Sequence, residues 1–131
     1  MTAFGIAIGV IVALFLGLQM WIRLKARKTV GKPLPANISK DDFFSGDNKK
    51  LVYFYSPSCG ACKQMTPEIE ALRKKAPDQV RSVNIAESMV LSQAIGIMAT
   101  PTTVIVRDKM VLDVKIGSLS RKKMNLLIGL T

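Results

Sequence analysis

The stretch Leu51-Val-Tyr-Phe-Tyr-Ser-Pro-Ser-Cys-Gly-Ala-Cys62 decides how this chain folds. Leu51–Tyr55 is a short apolar and aromatic run, the signature of a buried strand, and Ser56-Pro-Ser58 breaks it. From Gly60 the apolar residues Met65, Ile69, Leu72 and Ala76 recur at steps of four, three and four, which is one face of a helix. The only two cysteines therefore sit where a strand turns into a helix. At a helix N-terminus, unpaired backbone N–H groups and the helix dipole favour a thiolate over a thiol, and Cys59 takes that place. Cys62 follows one helical turn later and is within reach to close a disulfide. The pattern points to reversible two-electron thiol–disulfide exchange.

Composition removes competing chemistries. The chain has no histidine, so neither a Ser/His or Cys/His catalytic pair nor a His-ligated metal site can form. Two thiolates fall short of the four ligands of a structural zinc, unless two chains share one site. A disulfide between Cys59 and Cys62 closes too small a loop to stabilise much by chain entropy. The two sulfurs carry the electrons themselves, so no cofactor and no resident metal are expected.

The net charge is +10, of which residues 1–37 supply five basic groups, Arg23, Lys25, Arg27, Lys28 and Lys32, and no acidic one. The other basic residues are scattered apart from the short runs at 49–50, 73–75 and 121–123. Nucleic-acid binding requires a contiguous basic face with aromatics among it, and none is legible.

Ala3–Ile22 is twenty residues without a charge and with Gln19 as its one polar side chain, enough to span about 30 Å of hydrocarbon. A cleaved signal peptide would carry a basic residue before the apolar run and small residues at its end. This run has no basic residue before it and ends in Gln19-Met-Trp-Ile22, with Trp21 suited to the interface. The expectation is a retained single-pass anchor in the cell (inner) membrane over residues 1–23. The basic cluster beyond it places the soluble part in the cytoplasm by the positive-inside rule. Analogy with membrane-tethered thiol oxidoreductases gives the periplasmic side as the alternative. Gly5, Gly9, Ala13 and Gly17 recur every fourth residue, a small-residue stripe through which two anchors would pair as a homodimer.

Residues 24–37, with Gly31, Pro33 and Pro35, read as a basic tether, and residues 38–131 as one domain. Ser39 is expected to cap a short helix that carries Phe43 and Phe44 and stops at Gly46. Pro67 should bend the helix that follows the dithiol. Strands are expected at Gln79–Ile85, Thr102–Val106 and Met110–Ile116, the last two as a hairpin turning at Asp108-Lys109. A helix lies at Glu87–Ala94, and Ser120 caps a final one. The order αβαβαββα predicts a parallel first pair of strands and an antiparallel last pair.

These landmarks together resemble the thioredoxin family from about Ile38 to Leu130. They are Cys59-Gly-Ala-Cys62 after a strand, Pro67 five residues later, Ala99-Thr-Pro101 before a β-branched strand, and Gly117-Ser-Leu-Ser120 before the last helix. The resemblance implies an α/β thioredoxin-like fold, a mixed sheet flanked by helices behind the transmembrane helix. It implies a protein thiol–disulfide oxidoreductase with Cys59 and Cys62 as catalytic residues and Ser58, Gly60 and Ala61 shaping the loop and helix start. It also implies a cis Thr100–Pro101 bond that presents backbone to the substrate. Implied partners are disulfide-bearing proteins and an external electron donor, either a thioredoxin reductase or a membrane thiol relay.

Three departures from the family pattern stand out. Ser58 replaces a tryptophan before the first cysteine. Tyr53 stands where a buried aspartate is usual, and Ser82 where its lysine partner is usual. Losing both members together avoids an unpaired buried charge. The absence of a histidine between the cysteines favours reduction or exchange over oxidation. Two other classes compete: a soft-metal carrier binding Cu(I) through the two thiolates, and an assembly or scaffold protein with a secondary redox pair.

Overall fold

A computed structural model describes residues 1–130; Thr131, the last residue of the expected domain, lies outside the described residues. Helix α1 spans Thr2–Arg27 and is followed by a 3₁₀ turn at Asp42–Phe44. Next come β1 (Lys50–Tyr55), α2 (Gly60–Lys75), β2 (Val80–Asn84) and α3 (Met89–Ile95). β3 (Thr102–Arg107), β4 (Met110–Ile116) and α4 (Arg121–Leu127) complete the chain. The strands form one sheet in the order β2-β1-β3-β4. β1 and β2 are parallel, whereas β3 runs antiparallel to both β1 and β4. This is the expected mixed sheet.

Alternation along the strands sends neighbouring residues to opposite faces and so builds two cores. On one face Leu51, Tyr53 and Ile105 pack with Met65, Ile69 and Leu72 of α2 and Met124 of α4. On the other Val52, Phe54, Val104 and Val106 pack with Phe44, Ile95 and Leu34. β1 is therefore buried on both sides, as its unbroken apolar run requires.

Local chemistry sets the element ends. Asp41, not Ser39, caps the turn before β1: its carboxylate accepts the Phe43 N–H at 2.9 Å, while Ser39 donates to the Ala36 carbonyl. Only one 3₁₀ turn forms there in place of the expected helix. Two consecutive phenylalanines, one buried and one half-buried, suit a tight turn that folds Phe44 into the core. The Arg81 guanidinium bonds to Asp41 and, with the Phe43 N–H, holds its carboxyl below the usual carboxylate range. Helix α2 continues through Pro67 to Lys75, and its last turn carries Arg73, Lys74 and Lys75, complementing the helix dipole. Gly96 ends α3 in the left-handed region at φ 81°. Ser120 caps α4 by accepting the Lys123 N–H.

The residues between α1 and the sheet are docked on it. Pro33 bridges to Met110, and Leu34 is only 5% exposed. By contrast, α1 is exposed along its apolar length, with a candidate membrane span at Thr2–Lys25.

Candidate active site

Ser56–Ser58 turns the chain out of β1, with the Ser56 and Ser58 hydroxyls 3.1 Å apart and the Cys59 N–H donating to the Ser56 carbonyl. Cys59 then occupies the N-cap of α2 with an extended backbone, and its Sγ accepts the Cys62 N–H at 3.2 Å. A sulfur in this place receives one of the N–H groups a helix start leaves unpaired, the environment that favours a thiolate in the reduced form. Cys59 and Cys62 are joined as a disulfide with their Cα atoms 5.2 Å apart. Ser58, Gly60 and Ala61 are exposed, Cys59 is half-buried, and Cys62 is 2% exposed. A partner molecule thus meets Cys59 before Cys62.

The Thr100–Pro101 peptide bond is cis. Pro101 is buried and Thr100 half-buried. Thr102 pairs across β3 with Phe54 of β1 on one side and Ile116 of β4 on the other. The Gly117 N–H donates to the Pro101 carbonyl at 2.8 Å. Register therefore sets the 98–101 loop beside the end of β1, from which the dithiol loop departs.

Beneath the dithiol, Tyr53 is fully buried, and its hydroxyl donates to the Cys62 carbonyl at 3.1 Å. Thr66 donates to the same carbonyl at 2.7 Å, and its oxygen lies 3.1 Å from the Tyr53 hydroxyl. Burial raises the Tyr53 hydroxyl above the usual phenol range; the adjoining Thr66 hydroxyl opposes this, and nearby Tyr55 adds to it. Tyr53 is thus a neutral donor where an aspartate would be an anion. In register on either side of it stand Ser82 and Thr103, each with a buried hydroxyl lacking a hydrogen-bond partner. Thr66 escaped the sequence reading, although its position four residues after Cys62 places it over the same helical turn.

The sequence model of the family described as Thioredoxin matches residues 36–128. A "Disulfide bond formation protein" of Brevibacillus choshinensis is 38% identical over 72 residues, covering 53% of this chain and 61% of that protein. This chain thus spans less than two thirds of that relative. A thioredoxin of Rhodospirillum rubrum is 31% identical over 87 residues, covering 65% of this chain and 84% of its own length. Among solved structures, a mutant thioredoxin from Halobacterium salinarum superposes with a TM-score of 0.61 at 28% identity, covering 67% of this chain and 78% of that one. Thioredoxin of Malassezia sympodialis gives 0.59 at 25%, covering 76% and 92%. The family match runs through the dithiol, the 98–101 loop and all four strands, and the chain belongs to the thioredoxin family.

Proposed function

We propose that the chain is a membrane-anchored oxidoreductase that reduces or exchanges disulfides in proteins, with Cys59 as nucleophile and Cys62 as resolving thiol. The unequal exposure of the two cysteines carries this reading. The Cys59 thiolate attacks one substrate sulfur, forming a mixed disulfide as the other sulfur leaves and takes up a proton. The Cys62 thiolate then attacks Cys59 Sγ, completing the cysteine disulfide and releasing the second substrate thiolate. Two electrons pass to the substrate, and an external dithiol donor restores the pair. Thr100 and Pro101 supply the backbone against which the substrate chain lies.

One relative's name refers to disulfide formation. Gly60-Ala61 places no cation between the two cysteines to stabilise the Cys59 thiolate, which favours the reductive direction. Anchoring through α1 is supported by its apolar, exposed length and by Trp21, whose ring lies 4.9 Å from the Lys25 ammonium at the end of the span. We place the domain on the cytoplasmic side from the five basic residues after the span, with a thioredoxin reductase as donor; a periplasmic domain would need a membrane thiol relay. The Gly5, Gly9, Ala13 and Gly17 stripe supports pairing of two anchors.

The test is trapping. Cys62→Ser should accumulate a covalent complex with a defined disulfide peptide, and Cys59→Ser should not. In the reduced wild type, iodoacetamide should modify Cys59 at least about tenfold faster than Cys62. Equal rates at the two sulfurs would overturn the assignment.

A further inference from the structure

The chain leaves α1 along the outer edge of β4 and runs against it. Arg23 and Arg27, in the last turns of α1, line a crevice with Asp113–Ile116. Further on, the Gly31 N–H donates to the Val111 carbonyl at 2.7 Å, the Val111 N–H to Lys32 at 3.0 Å, and the Leu34 N–H to Lys109 at 2.8 Å. As the chain advances from 23 to 34, its partners on β4 recede from 116 to 109. The end of the sheet that carries Ile116 therefore lies beside α1, and the Asp108-Lys109 turn points away from it.

The end beside α1 is the redox end. Ile116 pairs with Thr102, Thr102 with Phe54, and the loops bearing Pro101 and Cys59 leave from these positions. The tether has no slack to turn the domain over. Thr29, two residues past α1, donates from its hydroxyl to the Ile95 carbonyl at 3.1 Å, and Leu34 is buried in the core. Thr29 is four residues beyond Lys25, the end of the candidate span: two of helix and two of turn, which together reach at most about 10 Å. A headgroup layer is about 5–7 Å deep on each side of the hydrocarbon. Around Thr29 the domain presents Met98 and Ile116, 45% and 38% exposed, beside Arg23 and Arg27, while Lys115 is paired with Asp113 at 3.1 Å. Apolar tips among cations suit an anionic headgroup surface.

We infer that α1 and its docked tether hold the dithiol end of the domain against the bilayer. Its substrates are then disulfides at headgroup level in membrane-embedded or lipid-anchored proteins, rather than disulfides of freely diffusing ones. This rests on the reading that α1 spans the membrane and that the dithiol exchanges with substrate disulfides, and it holds on either side of the membrane.

The test uses the full chain in phosphatidylglycerol–phosphatidylcholine vesicles, reduced with dithiothreitol and freed of excess reagent. Three fluorogenic peptide disulfides are compared: one soluble, one lipid-anchored at the surface, and one lipid-anchored on a rigid polyproline spacer of about 45 Å. The surface disulfide should be reduced at least about tenfold faster than the raised one at equal density. A flexible Gly/Ser insert of about a dozen residues between Arg27 and Lys28 adds about 20 Å of reach. It should bring the two rates within about twofold while leaving the soluble peptide's rate unchanged. Equal rates in the unmodified chain, or a faster raised disulfide, would overturn the inference. If no peptide is reduced, the exchange reading itself fails, and if the chain does not stay with the vesicles, the anchor reading fails.

Discussion

The Tyr53 hydroxyl, fully buried on β1, donates to the carbonyl of Cys62 across 3.1 Å, tying the resolving cysteine's helical turn to the central strand. Thr66 donates to the same carbonyl. The dithiol thus rests on a neutral two-donor support where the family pattern places an ion pair.

Tyr53→Phe keeps the ring and removes one donor, so unfolding should cost about 1 kcal/mol less, with Thr66 still serving the Cys62 carbonyl. The pH dependence carries the sign. Because the folded hydroxyl sits above its ordinary value of 10.0, its contribution is full below pH 10 and is lost as pH rises through the folded value. Denaturant melts above pH 10 should show a steeper loss in the wild type than in Tyr53→Phe. Parallel curves would show that Tyr53 titrates alike in both states.

Thr103→Val and Ser82→Ala each remove a buried hydroxyl without a partner. Both should raise stability, Thr103→Val by about 1 kcal/mol because its shape is retained. Urea melts decide the matter; a loss of that size would mean that each hydroxyl has a partner, such as a bound water.

The β3–β4 turn places Asp108 and Lys109 at φ 49° and 62°, the left-handed region. Two such residues are what a tight hairpin needs, and glycine meets the second at least cost. Lys109→Gly should stabilise the domain by about 1 kcal/mol, since the bond from the Leu34 N–H uses only the backbone carbonyl. An unchanged melting midpoint would refute this.

Topology is testable by fusion. If Arg23, Lys25, Arg27 and Lys28 retain the tether on the cytoplasmic side, as proposed, a C-terminal alkaline phosphatase should be inactive and a fluorescent protein there should glow. Neutralising those four residues and adding lysines after Thr2 should invert both signals. An active phosphatase on the unmodified chain would put the domain in the periplasm and require a membrane thiol relay as donor.

Local signals settled most of the fold. The Leu51–Tyr55 run, the 4-3-4 spacing of Met65, Ile69, Leu72 and Ala76, and the alternation of Met110–Ile116 each report a period set by backbone geometry within one element. Cys59 and Cys62 were legible for the same reason, since strand, turn and helix start are contiguous in the chain. Ser39 misled because two cap residues of similar chemistry lie close together. The cap that forms is the one that also meets Arg81, forty residues away. The support of Cys62 by Tyr53 and Thr66, the stranded hydroxyls of Ser82 and Thr103, and the docking of Thr29 and Leu34 are all contacts between elements. Periodicity marks which face of an element is buried but not which partner covers it. Pairing the tether with β4, and so aiming the redox end back towards α1, depends on strand order and register, which only long-range packing decides.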